Sequence, residues 1–389
     1  MDFLAEAKSL FEYTQKMRRD FHEHPELGYQ EVRTAGIVAK EIEALGLEYQ
    51  TGVAKTGVVA ILEGARSGPV LLLRADMDAL PIIEETGAEY ASKNLGVMHA
   101  CGHDGHTAIL LTVAKMLTAY RGQLAGTVKF VFQPAEEGMN GAEVMVNEGV
   151  LENPKVDYAI ASHVWNDKPL KWFGVTEGPV MAGAEKFRVV IKGKGGHGAA
   201  PHQTIDPIFA ASQIITTLQS IVSRNVPPLE SAVVSVGRIQ GGSAFNIIPP
   251  EVELQGTIRT FRKEVREKVL KRFHEIVEGI AESLECQVDI ELIALTPAVS
   301  NSPELAKLVQ ETVVQLFPDA SLGLNDVSMG SEDMAYIMEK VPGFYIFVGS
   351  ADTERGLDAA HHHPKFDFDE TALTEAAALI ATITAKILA

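Results

Sequence analysis

The stretch PVLLLRADMDALP, residues 69–81, decides the fold together with the two stretches that follow it, HTAILLTVAKMLTAY (106–120) and TVKFVFQPAEEG (127–138). The first and third contain short apolar runs typical of buried strands, and the second has a helical pattern. Strand, helix and strand in this order predict an α/β layer with a central, mostly parallel sheet. GVVAILEG (57–64) and VDYAIASHVW (156–165) supply further strands.

Polar side chains follow three of these predicted strands, at the point where each strand ends. Asp76 and Asp78 come after VLLLR, Glu136 and Glu137 after VKFVFQPA, and His163 after YAIAS. In open α/β sheets the chemistry collects at the carboxyl ends of the strands. We therefore expect these side chains to lie in one layer.

The pattern changes around residue 183, where alternating strands replace the buried ones. Two helices against a four-stranded antiparallel sheet predict an independent α+β domain. After it the α/β pattern returns. We therefore predict a discontinuous catalytic domain, residues 1–182 and 295–389, of hydrolase- or phosphorylase-like α/β architecture, interrupted by a smaller domain at 183–294. The segments of that smaller domain are EKFRVVIKGKGG, DPIFAASQIITTLQSIVSR, SAVVSVGRIQGG, EVELQGTIRTF, KEVREKVLKRFHEIVEGIAESL and CQVDIELIAL.

Composition and charge argue against nucleic-acid-binding, disulfide-stapled and membrane-spanning classes of protein. The 389 residues are 46% hydrophobic and 22% charged, and 52 acidic residues against 34 basic ones give a net charge of −18. Such a surface repels nucleic acid and anionic lipid, so neither is an expected partner. Two cysteines cannot form a disulfide framework. We expect the amphipathic N-terminus to form a helix rather than a signal peptide, and no apolar run approaches the ~20 residues of a membrane span. We expect a cytoplasmic protein.

The stretch VMHACGHDGHTAILL, residues 97–111, concentrates groups that bind divalent metals. Zinc and related ions prefer imidazole, thiolate and carboxylate ligands gathered from separate loops. A single loop histidine is more often structural, but several such groups in one predicted layer favour a metal site. The candidates are Cys101, His103, Glu137, His163 and the histidine triplet of AHHHPKF.

The adjacent pair Glu136–Glu137 suggests two roles in one loop. Consecutive loop residues point in different directions, so one carboxylate can bind metal while the other takes a proton from water and delivers it to a leaving group. An exposed acidic turn is the alternative. The apolar stretch VKFVFQP before the pair favours the functional interpretation.

The chain resembles a known family over essentially its whole length. It is similar to metallopeptidase family twenty, in the aminoacylase and amidohydrolase branch that includes hippurate hydrolases, auxin-conjugate hydrolases, N-acetyl-diaminopimelate deacetylases and related carboxypeptidases. The motifs that carry the resemblance, in family order, are HEHPELGYQE, RADMDALP, MHACGHDGHTAILL, FQPAEEG, GKGGHGAAPH, GGSAFNIIP, GTIRTF, GSEDMA and HHHPKFDFDE.

The resemblance implies a binuclear centre of two divalent ions, with zinc, manganese, cobalt and nickel all compatible. It makes Cys101 a bridging thiolate and Glu136 the general base and acid. The family's His-x-Pro element selects His362 over His361 and His363. The implied ligands are Cys101, His103, Glu137, His163 and His362.

Two further acids, Asp76 and Asp78, stand where other branches carry His-x-Asp. We expect them to orient metal ligands, with a strand-end turn as the alternative. His103 would then supply the imidazole that the histidine of His-x-Asp supplies in the other branches. His106 begins an apolar helix and is expected to be a hydrogen-bonded core histidine, and His99 is a weaker candidate.

In the inserted domain the resemblance implies substrate contacts. His197, in a Gly-rich loop, matches a histidine that stabilises the oxyanion, commonly across a dimer interface. Asn246 and Arg259 match residues that contact the substrate's carboxylate or carbonyl, and an arginine fork suits a free carboxylate. Alternatively, Arg259 simply pairs with a neighbouring acid on its sheet.

The leading hypothesis is a metal-dependent amidohydrolase that cleaves linear amide C–N bonds of N-acyl amino acids or small peptides with a free carboxylate. A carboxypeptidase acting on short peptides is the closest alternative. A cysteine hydrolase, with Cys101 as nucleophile and His103 as base, leaves the other ligands unexplained. A non-catalytic metal-binding protein would need neither Glu136 nor His197. We expect a homodimer through the inserted lid and dimerisation domain, with a tetramer as the alternative.

Overall fold

A computed structural model describes residues 1–389, which divide into two compact units. The first, called the α/β unit, comprises Met1–Val180, Ser300–Val327 and Asp333–Ala389. The second, called the inserted unit, comprises Met181–Val299 and Ser328–Glu332. None of the helices combines the length and the apolar character that crossing a bilayer requires.

The chain begins with helices that precede and flank the strands of the α/β unit. They and the following elements are α1 (Phe3–Ser9), α2 (Phe11–Glu23), α3 (Val32–Ala44), β1 (Glu48–Val53), β2 (Gly57–Glu63), β3 (Arg66–Asp76), α4 (His103–Ala119), β4 (Ala125–Gln133), the short turn α5 (Glu136–Met139), α6 (Gly141–Asn147), β5 (Tyr158–Pro169), β6 (Trp172–Gly174) and β7 (Gly178–Met181).

The inserted unit follows, and the chain then returns to the α/β unit. The inserted elements are β8 (Gly183–Lys192), β9 (Gly196–His197), α7 (Pro207–Ser220), β10 (Ala232–Gly241), β11 (Ile247–Ile248), β12 (Glu251–Thr260), α8 (Lys263–Ser283) and β13 (Gln287–Thr296). The remaining elements are β14 (Val299–Asn301), α9 (Pro303–Leu316), β15 (Ser321–Gly323), α10 (Ala335–Met338), β16 (Gly343–Ala351) and α11 (Thr371–Ile387).

The α/β unit is built on an eight-stranded mixed sheet in the order β1-β2-β4-β3-β5-β16-β6-β15. Its centre is parallel, since β4–β3, β3–β5 and β5–β16 all run in the same direction, whereas β1–β2, β2–β4 and β16–β6 are antiparallel. Leu71, Leu72 and Leu73 of β3 are fully buried, as expected of a central strand covered on both faces. The predicted α/β fold with a mostly parallel sheet is confirmed.

Helix α4 covers this sheet and begins earlier than the apolar pattern predicts. The pattern starts at His106, whereas the helix starts at His103 after Gly102, and almost all of its residues are buried. Because Gly102 has a φ of +92° and a Cβ there would lie 2.4 Å from Val164, only glycine fits this position. The first turn of α4 therefore carries the polar residues of the histidine-rich motif.

The inserted unit has its own sheet and core. Its four strands, in the order β10-β12-β8-β13, are all antiparallel. Helices α7 and α8 pack against them, and Phe187 of β8 meets Phe273 of α8 with ring centroids 4.8 Å apart. Asp206 caps α7 by accepting hydrogen bonds from the backbone N–H groups of Ile208 and Phe209. The predicted four-stranded antiparallel sheet with two helices is confirmed.

Candidate metal centre

The polar side chains predicted at strand ends do lie at one edge of the α/β sheet. Strands β4, β3 and β5 are neighbours and parallel, so their carboxyl ends meet at that edge. Asp76 ends β3, Gln133 ends β4 just before the two glutamates, and His163 lies within β5. The sheet thus brings together groups that are far apart in the sequence.

The turn at Cys101–His103 directs a thiol and an imidazole toward this edge. The His103 Nδ1–H donates to the backbone oxygen of Asp78 at 2.9 Å. Burial is outweighed by the Asp76 carboxylate, which raises the pKa of His103 well above its usual value, so a metal would bind Nε2 by displacing its proton. His103 Nε2 is buried and has no hydrogen-bond partner. A buried polar atom of this kind requires an explanation, and a bound cation supplies one.

His163 faces the same thiol. Its Nδ1–H donates to the backbone oxygen of Val164 at 2.6 Å, and its Nε2 lies 3.5 Å from Cys101 Sγ. Burial, with the neighbouring His106 and His361, lowers the pKa of His163 well below its usual value. The imidazole is therefore neutral, which is the form that binds metal.

The two glutamates sit on a backbone held in an unusual conformation. Ala135, a non-glycine residue, has a φ of +56°, and its N–H donates to Glu31 Oε1 at 2.9 Å. The Glu137 N–H donates to Asp78 Oδ2 at 2.9 Å. Residues in the left-handed region cost about 1–3 kcal/mol and are kept where the surroundings fix them, often at functional sites. This loop fixes the directions of Glu136 and Glu137.

His362 approaches the centre from the C-terminal loop. It also has a left-handed backbone, with a φ of +67°, and its N–H donates to the backbone oxygen of Ala100 at 2.7 Å. Its Nε2 lies 3.1 Å from Glu137 Oε1, a buried oxygen without a hydrogen-bond partner of acceptable geometry. The Glu137 carboxylate, opposed by partial burial, raises the pKa of His362.

The other two histidines of the triplet have different surroundings. His361 Nε2 accepts from the backbone N–H of Asn166 at 3.3 Å, so the protonated Nδ1 is the nitrogen that faces Cys101 Sγ, at 3.9 Å. Burial, with His106 and His362, lowers the pKa of His361 to about 3. His363 is exposed, and its Nδ1 accepts from the Lys365 N–H at 3.0 Å. Of the three, His362 alone faces the Glu137 carboxylate.

The residues present fit two divalent ions. In each of three groups of side chains, one ligand atom per residue lies within 4.8 Å of the others. The donor set of imidazole nitrogen, thiolate sulfur and carboxylate oxygen suits zinc and related transition metals. Cys101 is common to the first two groups, as a bridging ligand would be. The three groups are Cys101, His103 and His163; Cys101, Glu137 and His362; and His103, Glu136 and Glu137.

Asp76 and Asp78 lie against residues that are predicted to bind metal. Asp76 accepts from His106 Nδ1 at 2.6 Å and from Arg74 Nη1 at 2.8 Å, and Asp78 contacts both His103 and the Glu137 backbone. Arg74, with His103 and His106, lowers the pKa of Asp76 well below its usual value despite complete burial. Asp76 therefore remains ionised beside the centre.

Sequence reasoning missed several buried groups around the centre. Arg74 pairs with Asp76, and an arginine in a strand gives no local sign of such burial. The histidine triplet offers His361 only as an alternative ligand. His106 matches its expected role, since both ring nitrogens are bonded, to Asp76 and to the Val164 N–H. His99 is fully buried with neither nitrogen hydrogen-bonded.

The residues predicted in the inserted unit lie on different elements: two strands and the turn before β11. His197, in β9, is exposed, and its Nδ1 accepts from the Ala199 N–H at 3.0 Å, so Nε2 carries the proton. Asn246 is also exposed, and its backbone oxygen accepts from the Gly198 N–H at 2.8 Å. Arg259, in β12, is half-buried, and its Nη1 is buried without a hydrogen-bond partner. Arg259 thus has a donor available for a ligand.

Known proteins resemble the chain over nearly its whole length. It is 44% identical over 377 residues to N-acetylcysteine deacetylase of Bacillus subtilis (strain 168), covering 96% of each chain. It is 40% identical over 394 residues to the IAA-amino acid hydrolase ILR1-like 4 of Arabidopsis thaliana, covering 99% of this chain and 88% of the relative. The crystal structure of the Bacillus subtilis YXEP protein, described as a dinuclear metal-binding peptidase of the M20 family, superposes with a TM-score of 0.87 at 40% identity, covering 98% and 99% of the two chains.

These relatives agree with the sequence motifs on both family and enzyme class. The predicted hydrolase acting on amide bonds is confirmed, as is the predicted amidohydrolase branch. The sequence profile of peptidase family M20/M25/M40 matches residues 72–386, which is more than half of the chain. The protein therefore belongs to peptidase family M20/M25/M40, as a member of its amidohydrolase branch.

Proposed function

We propose that this metal-dependent amidohydrolase cleaves the amide bond of N-acyl amino acids, or of small peptides with a free carboxylate, using two divalent ions. Cys101, His103, Glu137, His163 and His362 would hold the ions. The observation that carries the proposal is the approach of their ligand atoms to one another, with Cys101 shared between two groups.

The bound ions would supply Lewis acidity, which polarises a carbonyl and acidifies water. Glu136 has an oxygen within 4.8 Å of the ligand atoms of His103 and Glu137, so its carboxylate can reach solvent at the same place. Glu136 takes a proton from the attacking water and delivers it to the leaving amine. The reaction then yields a carboxylic acid and an amino acid.

Three residues of the inserted unit would act on the substrate. Since His197 carries its proton on Nε2, it can donate to the oxyanion that develops on the scissile carbonyl. Arg259 offers an unsatisfied Nη1 to a carboxylate, and Asn246 an exposed amide. Burial lowers the pKa of Arg259, opposed by Glu185, and a guanidinium remains charged even so. Its charge favours substrates that end in a free carboxylate.

The relatives suggest which acyl groups and amino-acid side chains to test in candidate substrates. An N-acetylcysteine deacetylase, an IAA-amino acid hydrolase and a dinuclear peptidase all resemble this chain closely. Carboxypeptidase activity on short peptides is therefore the second candidate. A panel of acetyl, benzoyl, indole-acetyl and dipeptide substrates, assayed with zinc, manganese, cobalt and nickel, separates the two by their kcat/KM values.

A cysteine hydrolase is the less favoured alternative. Burial and the Glu137 carboxylate raise the pKa of Cys101 well above its usual value. A nucleophilic cysteine needs the opposite shift, because the thiolate is the reactive form. A cation shared between Cys101 and Glu137 would compensate both negative charges, which favours a ligand role for the thiol.

We further propose a homodimer through the inserted unit, which would serve as lid and dimerisation domain. Strand β10 is an edge strand of its sheet, and Ile239 on it is 57% exposed. Exposed edges with apolar side chains favour pairing with another strand. Sedimentation should give a dimer for the native chain and a monomer for Ile239→Lys; a monomeric native chain would refute the proposal.

The experiment that tests the catalytic proposal is Glu136→Gln. We expect two equivalents of metal per chain to remain, because glutamine disturbs no proposed ligand, while kcat falls roughly 100- to 10,000-fold. Glu311→Gln is the control, since that side chain is 64% exposed on α9. Unchanged activity of Glu136→Gln would rule out the general-base role.

A further inference from the structure

Helix α2 carries an arginine whose whole side chain is buried. Arg18 has 0% relative exposure and is the largest fully buried side chain of the protein. Its Nε donates to Asp104 at 2.8 Å, its Nη2 to Asp367 at 2.7 Å and its Nη1 to Glu370 at 3.3 Å. All three guanidinium nitrogens are thus engaged with carboxylates from two distant parts of the chain.

Two of those carboxylates belong to the segments that bring metal ligands to the centre. Asp104 directly follows His103 in the first turn of α4. Asp367 lies in the same C-terminal loop as His362, and that loop has no regular secondary structure of its own. The Arg18 guanidinium therefore connects the turn that carries Cys101 and His103 with the loop that carries His362.

Neighbouring groups fix the geometry of this connection. The Tyr90 hydroxyl donates to Asp367 Oδ2 at 2.7 Å, and His22 Nδ1 donates to Asp104 Oδ2 at 2.7 Å. The guanidinium carbon lies 4.5 Å from the centroid of Phe368 and 4.9 Å from that of Tyr90. The planar group is held on its faces as well as at its edges.

The loop is also tied to the strand that carries His163. Asn166 Nδ2 donates to the backbone oxygens of Asp367 and Ala359, both at 2.9 Å. A displacement of Asp367 would therefore be transmitted toward His361 and His362, which lie between these two anchored carbonyls. Arg18 and Asn166 both restrain the loop.

Burying one cation among three carboxylates contributes little to the free energy of folding, because removing the charges from water costs free energy. Replacing a buried ion network by apolar side chains of similar volume is often neutral or stabilising. What the network provides that apolar packing does not is a directional link with fixed donor and acceptor positions. Second-layer groups of this kind orient metal ligands, and their loss typically lowers metal affinity 10- to 100-fold.

We infer that Arg18 is a positioning residue that sets the distance between the Cys101–His103 turn and the His362 loop, and thereby tunes the affinity and geometry of the metal centre. This inference rests on the proposed function, since it takes those residues as ligands. Arg18 itself touches neither metal nor substrate.

The test measures cobalt binding to the metal-free full chain, by competition with a chelator and by the visible absorption of bound Co²⁺. Arg18→Lys keeps the charge but cannot span Asp104 and Asp367 with one planar fork. We expect its Co²⁺ affinity to fall about 10- to 100-fold and its absorption bands to shift, at temperatures where circular dichroism shows native secondary structure.

Arg19→Lys is the matched control. Arg19 is on the same helix and pairs with Glu370, but its side chain is 38% exposed and it makes no bond to Asp104 or Asp367. Its cobalt affinity and spectrum should stay within twofold of the native chain. Should Arg18→Lys fail to fold, Asp367→Asn weakens the same link from its other end and should change the spectrum in the same way.

Two outcomes contradict the inference, and they differ in whether the proposed function fails as well. If the native chain binds two equivalents of Co²⁺ and folded Arg18→Lys or Asp367→Asn binds them with unchanged affinity and spectrum, Arg18 has no positioning role although the proposed centre stands. If the native chain binds no Co²⁺, the proposed function fails and the inference fails with it.

Discussion

The edge of the α/β sheet and the loops of the inserted unit differ in the surroundings of the side chains that we propose to be functional. At the sheet edge, His103 and His163 are buried, and each donates from Nδ1 to a backbone carbonyl oxygen. In the inserted unit, His197 and Asn246 are exposed and held chiefly through backbone hydrogen bonds and one short strand pair. Rigid, desolvated surroundings suit metal ligands, whereas exposed groups suit contacts that form only with substrate.

The largest expected effect concerns the sheet edge. Removing metal with a chelator should reduce activity to background, and adding back zinc, manganese, cobalt or nickel should restore it, because the proposed reaction depends on the Lewis acidity of bound ions. Measuring hydrolysis of an N-acyl amino acid before and after dialysis checks this. Full activity after the metal has been shown to be absent, with inhibition by thiol alkylation, would instead favour the cysteine hydrolase.

A smaller loss is expected from the exposed histidine of the inserted unit. His197→Ala should lower kcat roughly 100- to 1,000-fold, as removal of one oxyanion donor does in other enzymes, while metal content stays unchanged. His274→Ala is a control in the same unit, since its side chain is 44% exposed on α8. A His197→Ala enzyme that keeps native kcat, or that loses its metal, would contradict the proposal that His197 acts on the substrate and not on the metal.

The smallest of these effects should appear in substrate binding. Arg259→Lys should raise KM about 10- to 100-fold for substrates with a free carboxylate, because lysine cannot replace the planar fork. The increase should disappear for the matching carboxamide, which has no charge to pair. Arg188→Lys, on the exposed side of β8, should change neither value. Equal effects on both substrates would contradict carboxylate recognition by Arg259.

Much of the fold could be predicted because its determinants are local. The apolar run at Leu71–Leu73 identifies a central strand, and the alternation in β8 identifies a strand with one face on a core. The strand ends at Asp76 and Gln133 then follow from the parallel centre of the sheet, whereas β5 continues past His163 to Pro169. The start of α4 at His103 depends on the left-handed Gly102, which the apolar pattern does not reveal.

The candidate site was only partly predictable, for a different physical reason. The residue types that could bind metal are recognisable in their motifs, and the resemblance to the family, through its His-x-Pro element, predicts His362 as a ligand. The groups behind them depend on pairing across the whole chain: Arg18 meets Asp367 at a separation of 349 residues. A helical pattern gives an arginine in α2 no sign of such a partner. Likewise, no local signal indicates the left-handed backbone at Ala135 or His362.

The most direct measurement is a crystal structure of the full chain grown with Mn²⁺, with data collected at a wavelength that gives manganese an anomalous signal. The account predicts two anomalous peaks, both within coordination distance of Cys101 Sγ. Glu137 and His362 should lie within coordination distance of one peak, and His103 and His163 should each lie within coordination distance of at least one of the two. Glu136 should coordinate neither ion. A single peak elsewhere in the molecule, or none at a Mn²⁺ concentration that supports full activity, would contradict it.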